Sequence, residues 1–79
     1  MKGKCTMPMI DMLATGARIT NLRKEHGITV AMIMDKLGVT KTAVYKWQRG
    51  EALPTLDNLV ILADMMNVTL NDIVVVTTR

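Results

Sequence analysis

Phenylalanine is absent from this sequence, and Tyr45 and Trp47 are its only aromatic residues, so any core it builds must be aliphatic and rich in methionine. A single cysteine, Cys5, excludes an internal disulfide framework and suits a reducing compartment. Cys5 and the one histidine, His26, fall short of a zinc ligand set. No apolar run approaches the ~20 residues of a membrane span. The opening MKGKCTMP lacks the long apolar segment of a signal peptide, so the expected location is the cytoplasm. No nucleophile, base and stabilising group assemble into a catalytic constellation. An enzyme is therefore not expected, nor is a cofactor, a membrane partner or a small-molecule effector.

What is present is enough for one small globular domain. Of 79 residues, 49% are hydrophobic and 22% charged, a globular balance rather than a disordered one. A domain of this size buries only about 60% of its unfolded surface, so its core is thin. The net charge of +3 says less than its distribution. Residues 18–49 hold seven Lys or Arg against Glu25 and Asp35, whereas from Gly50 onward Glu51, Asp57, Asp64 and Asp72 oppose only Arg79. The basic face belongs to the first half of the chain.

Residues 1–8 show no periodicity and read as a flexible leader stopped by Pro8. Asp11 caps a first helix running to about His26, with Met12, Ile19 and Leu22 near the helical period and Gly27 as its left-handed end. Thr15 and Gly16 weaken that helix, so either it begins near Thr15 or Gly16 admits another backbone. Thr29 caps a second, short helix whose buried face is Ala31, Ile33, Met34 and Leu37. Gly38 stops it, Val39 plugs the turn, and Thr40 caps a third helix with Ala43, Val44 and Trp47 on one side. Gly50 closes this helix. Pro54 and the cap Thr55 open a fourth, with the apolar set Leu56, Leu59, Val60, Leu62, Ala63 and Met66. Asn67 ends it, Thr69 and Asp72 form a capping box for a last helical turn, and the β-branched run Val74, Val75, Val76 leaves as an extended segment. The domain is placed at residues 9–76, with 77–79 as a tail.

Two short helices joined through one glycine redirect the chain within a few residues, so the third helix presents its N-terminal turn outward. That turn carries unpaired N–H groups and a partial positive charge, both favourable beside phosphate. Lys41, Thr42, Tyr45, Lys46 and Arg49 are left on the outer side, where a major groove admits a helix.

The run ARITNLRKEHGIT, then LGVTKTAVYKWQRGEALPTLDNLVILADMMNVTLNDIV, resembles the Cro/repressor helix-turn-helix family, also called the Xre family. The resemblance implies an all-α, lambda-repressor-like fold: a compact five-helix bundle in which residues 29–37 position the recognition helix, residues 40–49. It implies base contacts from Lys41, Thr42 and Lys46, with Tyr45 against sugar, phosphate or a thymine methyl. Thr40 and Arg49 match positions that meet the DNA backbone, and Thr29 with nearby backbone N–H groups is expected to anchor phosphates as well. The implied function is sequence-specific binding of double-stranded DNA by a transcriptional repressor acting as a homodimer. Three positions depart from the family pattern: Val30 replaces a phosphate-binding Gln, Met34 a small Ala at the helix crossing, and Gln48 an acidic partner for Arg23.

Plainer roles account for other residues. The register of Trp47 with Val44 favours core packing over base stacking. His26 suits a helix C-terminus, and the dispersed aspartates suit a solvated surface. A rival function is a protein-interaction module, an antitoxin or adaptor built on the same fold, favoured by the acidic, apolar second half and by Val30.

Overall fold

The computed structural model describes residues 8–78. The leader readings for residues 1–7, including Cys5, lie outside the described residues. Five helices follow a short strand: β1 (Pro8–Ile10), α1 (Met12–Glu25), α2 (Val30–Leu37), α3 (Lys41–Gln48), α4 (Leu56–Met65), α5 (Leu70–Ile73) and a closing strand β2 (Val76–Thr78). The expected all-α, five-helix architecture is what the chain adopts, with one addition. β1 and β2 pair antiparallel, Pro8 opposite Thr78 and Ile10 opposite Val76. Pro8, Thr77 and Thr78, assigned on sequence to the segments flanking the domain, are strand residues.

Each helix begins where a short polar side chain satisfies a free backbone donor. Asp11 Oδ1 accepts from the Ala14 N–H at 3.0 Å, and Thr29, Thr40 and Thr55 do the same for Met32, Ala43 and Asn58 at 3.1, 3.1 and 3.2 Å. At α5 the box is made differently. Asp72 Oδ2 accepts from both the Thr69 N–H at 2.9 Å and the Thr69 hydroxyl at 3.0 Å. Left-handed residues end the first four helices: Gly27, Gly38 and Gly50 at φ between 67° and 75°, and Asn67 at 54°.

The core is aliphatic with one indole. Ile19, Ile33, Val44, Leu62, Met66 and Ile73 are fully enclosed, and Trp47 is 6% exposed beside them. Leu22, Met34, Leu37 and Val39 are half-buried against this cluster. Three expected core residues are not in it. Ala31 lies about 160° round α2 from Ile33, and Val60 about 100° round α4 from Leu59, at 100° per residue. Both face solvent, and Leu56 in the first turn of α4 is 68% exposed, with Val60 at 52%.

α1 runs its full expected length, because Gly16 admits a backbone rather than breaking the helix. A Cβ there would stand 2.6 Å from the Gln48 carbonyl oxygen and closer still to that of Trp47, so the end of α3 rests directly on α1. Thr15 is fully buried, and its Oγ1 accepts from the Val75 N–H at 3.0 Å, 60 residues away in sequence. The extended tail is tied to α1 there, and the Asp11 N–H continues the ladder to the Val75 carbonyl at 2.8 Å.

Candidate nucleic-acid interface

The outward side of α3 follows from helix geometry. At 100° per residue, Lys41, Tyr45, Arg49, Thr42 and Lys46 fall within an arc of about 140°. Val44, Trp47, Ala43 and Gln48 occupy the rest. All five members of the arc are exposed, whereas Val44 and Trp47 are buried and Ala43 and Gln48 half-buried. The arc thus contains three cations, a hydroxyl and a phenol, and no acid or large aliphatic side chain. Arg49 is the capping residue rather than part of α3 proper, but it keeps right-handed helical angles (φ −85°, ψ −4°), so its side chain continues the arc.

Within the arc, Lys41 Nζ lies 5.8 Å from the centre of the Tyr45 ring, close enough for a weak cation–π attraction. Thr29 and Thr40 are exposed at the N-termini of α2 and α3. Each hydroxyl oxygen is already an acceptor for its own helix, which leaves the hydroxyl hydrogen to donate outward. The α2 start has a further feature the sequence reading missed. Val30, one of the three departures from the resembled family pattern, is half-buried against the core, and the Met32 sulfur sits 3.5 Å from the Thr29 nitrogen as a weak acceptor.

Behind the arc, α3 is held by three contacts. Gly16 seats its C-terminal carbonyls, Val44 and Trp47 bury its inner face, and Arg23 Nε donates to Gln48 Oε1 at 3.0 Å. Met34 takes up the helix crossing as a half-buried side chain, which its unbranched stem permits.

A second feature not foreseen from sequence is the partner of Arg49. Its Nε donates to Glu51 Oε2 at 2.5 Å and its Nη2 lies 3.4 Å from Glu51 Oε1. This hydrogen bond is the main reason the Glu51 carboxyl is held below its ordinary pKa and the Arg49 guanidinium above its own. The signal was the R-G-E order, since a left-handed glycine folds the following residue back over the helix end. Arg18, counted with the basic half, is turned away from the arc: its Nη1 donates to the Asp72 carbonyl at 2.7 Å and ties α1 to α5.

No group of three or more metal-ligating side chains comes together among the described residues. No helix among them is long and apolar enough to cross a membrane.

Comparison with known proteins gives a consistent picture. The family described as helix-turn-helix matches residues 19–73. The cryptic phage CTXphi transcriptional repressor RstR of Vibrio cholerae is 36% identical over 56 residues, 71% of this chain and 50% of that protein. The HTH-type transcriptional regulator YobD of Bacillus subtilis is 33% identical over 54 residues, 68% of this chain and 48% of that protein. The chain therefore spans about half the length of the curated relatives it matches. In fold, it is similar to the restriction-modification controller protein C.AhdI of Aeromonas hydrophila, with a TM-score of 0.70 at 22% identity, over 80% of this chain and 96% of that one. It is also similar to the DNA-binding domain of BldD, with a TM-score of 0.66 at 21% identity, over 81% and 93% of the two chains.

Proposed function

This chain belongs to the Cro/repressor-type helix-turn-helix family, and from that membership we propose that it is a sequence-specific DNA-binding transcriptional regulator acting as a repressor. The observation that carries this reading is the exposed arc of α3, cationic and hydrogen-bonding along its length, on a helix fixed to the core by its opposite face. Lys41, Thr42 and Lys46 read base edges in the major groove. Tyr45 contacts sugar, phosphate or a thymine methyl. Thr29 and Thr40 donate their hydroxyl hydrogens to phosphates at the two helix N-termini, and Arg49 anchors the backbone at the far end of α3. The relative RstR carries the description of repressor, which supports that mode of action. The reading involves no chemical step and no cofactor, and it places the protein in the cytoplasm with its DNA.

One such module contacts few base pairs, so useful affinity comes from a homodimer on half-sites about one helical turn apart. Support for a dimer lies in large apolar side chains left uncovered outside the arc, Leu56 and Val60 on α4 and Val76 on β2. Sedimentation of a dimer, alone or on DNA, is the expected result; a monomer at high concentration in both cases contradicts it.

The direct test of function is binding to a random DNA library across a range of salt. Steep loss of affinity with salt and enrichment of a palindrome are expected. No detectable DNA binding at low salt overturns this reading in favour of the rival, an antitoxin or adaptor that uses the same fold mainly to hold a protein.

A further inference from the structure

We propose that Glu51 is an internal competitor for phosphate, which occupies the guanidinium of Arg49 and so sets how strongly this anchor engages DNA. The inference rests on the DNA-binding reading above and adds a residue that the reading does not contain.

The device is built by the end of α3. After Arg49 the chain passes through Gly50 at φ +75°, and the Gly50 and Glu51 N–H groups donate back to the Trp47 and Lys46 carbonyls at 3.1 and 2.9 Å. This left-handed closure reverses the chain, so that a residue two positions beyond Arg49 lies beside it instead of a full extended step away. The Glu51 carboxylate then meets the guanidinium side-on with both oxygens, Oε2 on Nε and Oε1 toward Nη2. A DNA phosphate uses the same two-oxygen geometry on arginine. Carboxylate and phosphate therefore want the same nitrogens.

Position makes the competition matter. The Arg49 side chain is 55% exposed and that of Glu51 52%, so a duplex lying along the arc reaches both. Among the described residues this is the one salt bridge, and Lys41 and Lys46, the other cations of the arc, have no acidic partner within ion-pair distance. The Lys46 charge is a further, smaller influence that lowers the Glu51 pKa. When DNA arrives, Arg49 exchanges one anion for another, and its net contribution to binding is reduced by the strength of the pair it gives up. Exposed pairs of this kind are weak and screened by salt, which makes the effect modest and largest at low ionic strength.

The experiment uses the full chain and random-sequence duplex, with affinity measured over a range of salt for the wild type, Glu51→Gln, Arg49→Ala and the double variant. Glu51→Gln is expected to tighten binding about two- to fivefold at low salt. The gain should be equal on all sequences and should steepen the salt slope by about one. In the Arg49→Ala background the gain should vanish, because there is no guanidinium left to release. An unchanged affinity and slope in Glu51→Gln overturns the proposal. So does a gain that persists undiminished without Arg49, which would make Glu51 a general repulsive charge. A pair that only steadies the end of α3 would lower the melting temperature of Glu51→Gln and leave the salt slope alone, and that result also overturns it. Absence of DNA binding by the wild type at low salt is a different failure, that of the functional reading itself.

Discussion

Arg23 donates from Nε to Oε1 of Gln48 across 3.0 Å, and from Nη1 to the Ile28 carbonyl across 3.0 Å. The half-buried guanidinium thus joins α1, the loop before α2 and the end of α3 while its charge meets only neutral oxygens. A carboxylate at position 48 would supply a charge-assisted bond in the same place. Gln48→Glu is expected to stabilise the fold by about 1 kcal/mol, the difference between neutral and charged hydrogen bonds. In a domain this small that is a rise of roughly 4–8 °C in melting temperature. Equal or lower melting would show that desolvating the second charge cancels the gain.

Gly16 gives an opposite expectation. Alanine is the better helix former by about 1 kcal/mol, yet its Cβ would stand 2.6 Å from the Gln48 carbonyl oxygen. The listener to that clash is backbone, which cannot rotate aside. Gly16→Ala should therefore cost on the order of 1–3 kcal/mol net, read as a lower urea midpoint with unchanged slope, and should weaken DNA binding by displacing α3.

Thr15 tests the tie between α1 and the tail. Thr15→Val keeps the side-chain volume but removes the acceptor of the Val75 N–H. Leaving that donor unpaired costs about 1–3 kcal/mol. Hydrogen exchange at Val75 should accelerate more than exchange in α3, and equal protection in variant and wild type would mean that water replaces the hydroxyl.

The capping carboxylate of α5 predicts an acid limb. Hydrogen bonds from the Thr69 backbone and hydroxyl, the largest causes, lower the Asp72 pKa from its ordinary 3.8. A depressed carboxylate contributes stability that is fully present above its unfolded value and is lost as pH falls through its folded value. The Asp72 contribution should be constant from neutral pH down to about the ordinary aspartate value and decline below it. Asp72→Asn should be less stable at neutral pH, and its deficit against the wild type should shrink in acid; a deficit independent of pH would contradict the assignment.

The readers and anchors proposed on α3 should separate by specificity. Lys41→Ala and Thr42→Ala should change which sequences are bound, by about 1–3 kcal/mol at the affected base pair. Arg49→Ala should weaken all sequences alike. Equal, sequence-independent losses from all three would contradict the roles proposed.

The caps and stops were legible because each is a local contract between a side chain and a backbone a few residues away. Asp11, Thr29, Thr40 and Thr55 each accept from an N–H three residues on, and Gly27, Gly38 and Gly50 each hold a left-handed angle that only the chain's own turn requires. The outward set Lys41, Thr42, Tyr45, Lys46 and Arg49 was legible for the same reason: once Val44 and Trp47 define the inner face, helical periodicity assigns the outer one.

What the tertiary structure alone decided depends on partners distant in sequence. Periodicity itself turns Ala31 and Val60 away from Ile33 and Leu59, but it leaves Leu56 on the apolar face of α4 without saying that the neighbouring elements stop short of covering it, and all three are exposed. Pairing of β1 with β2 joins the two ends of the described chain, and Thr15, read from sequence as a flaw in α1, is the acceptor that holds the tail. Gly16 admitted two sequence readings, and only the approach of the α3 carbonyls chose between them. Short-range hydrogen bonding and period, the Arg49–Glu51 pair included, are written along the chain, whereas coverage, close approach and the pairing of β1 with β2 exist only once the elements are brought together.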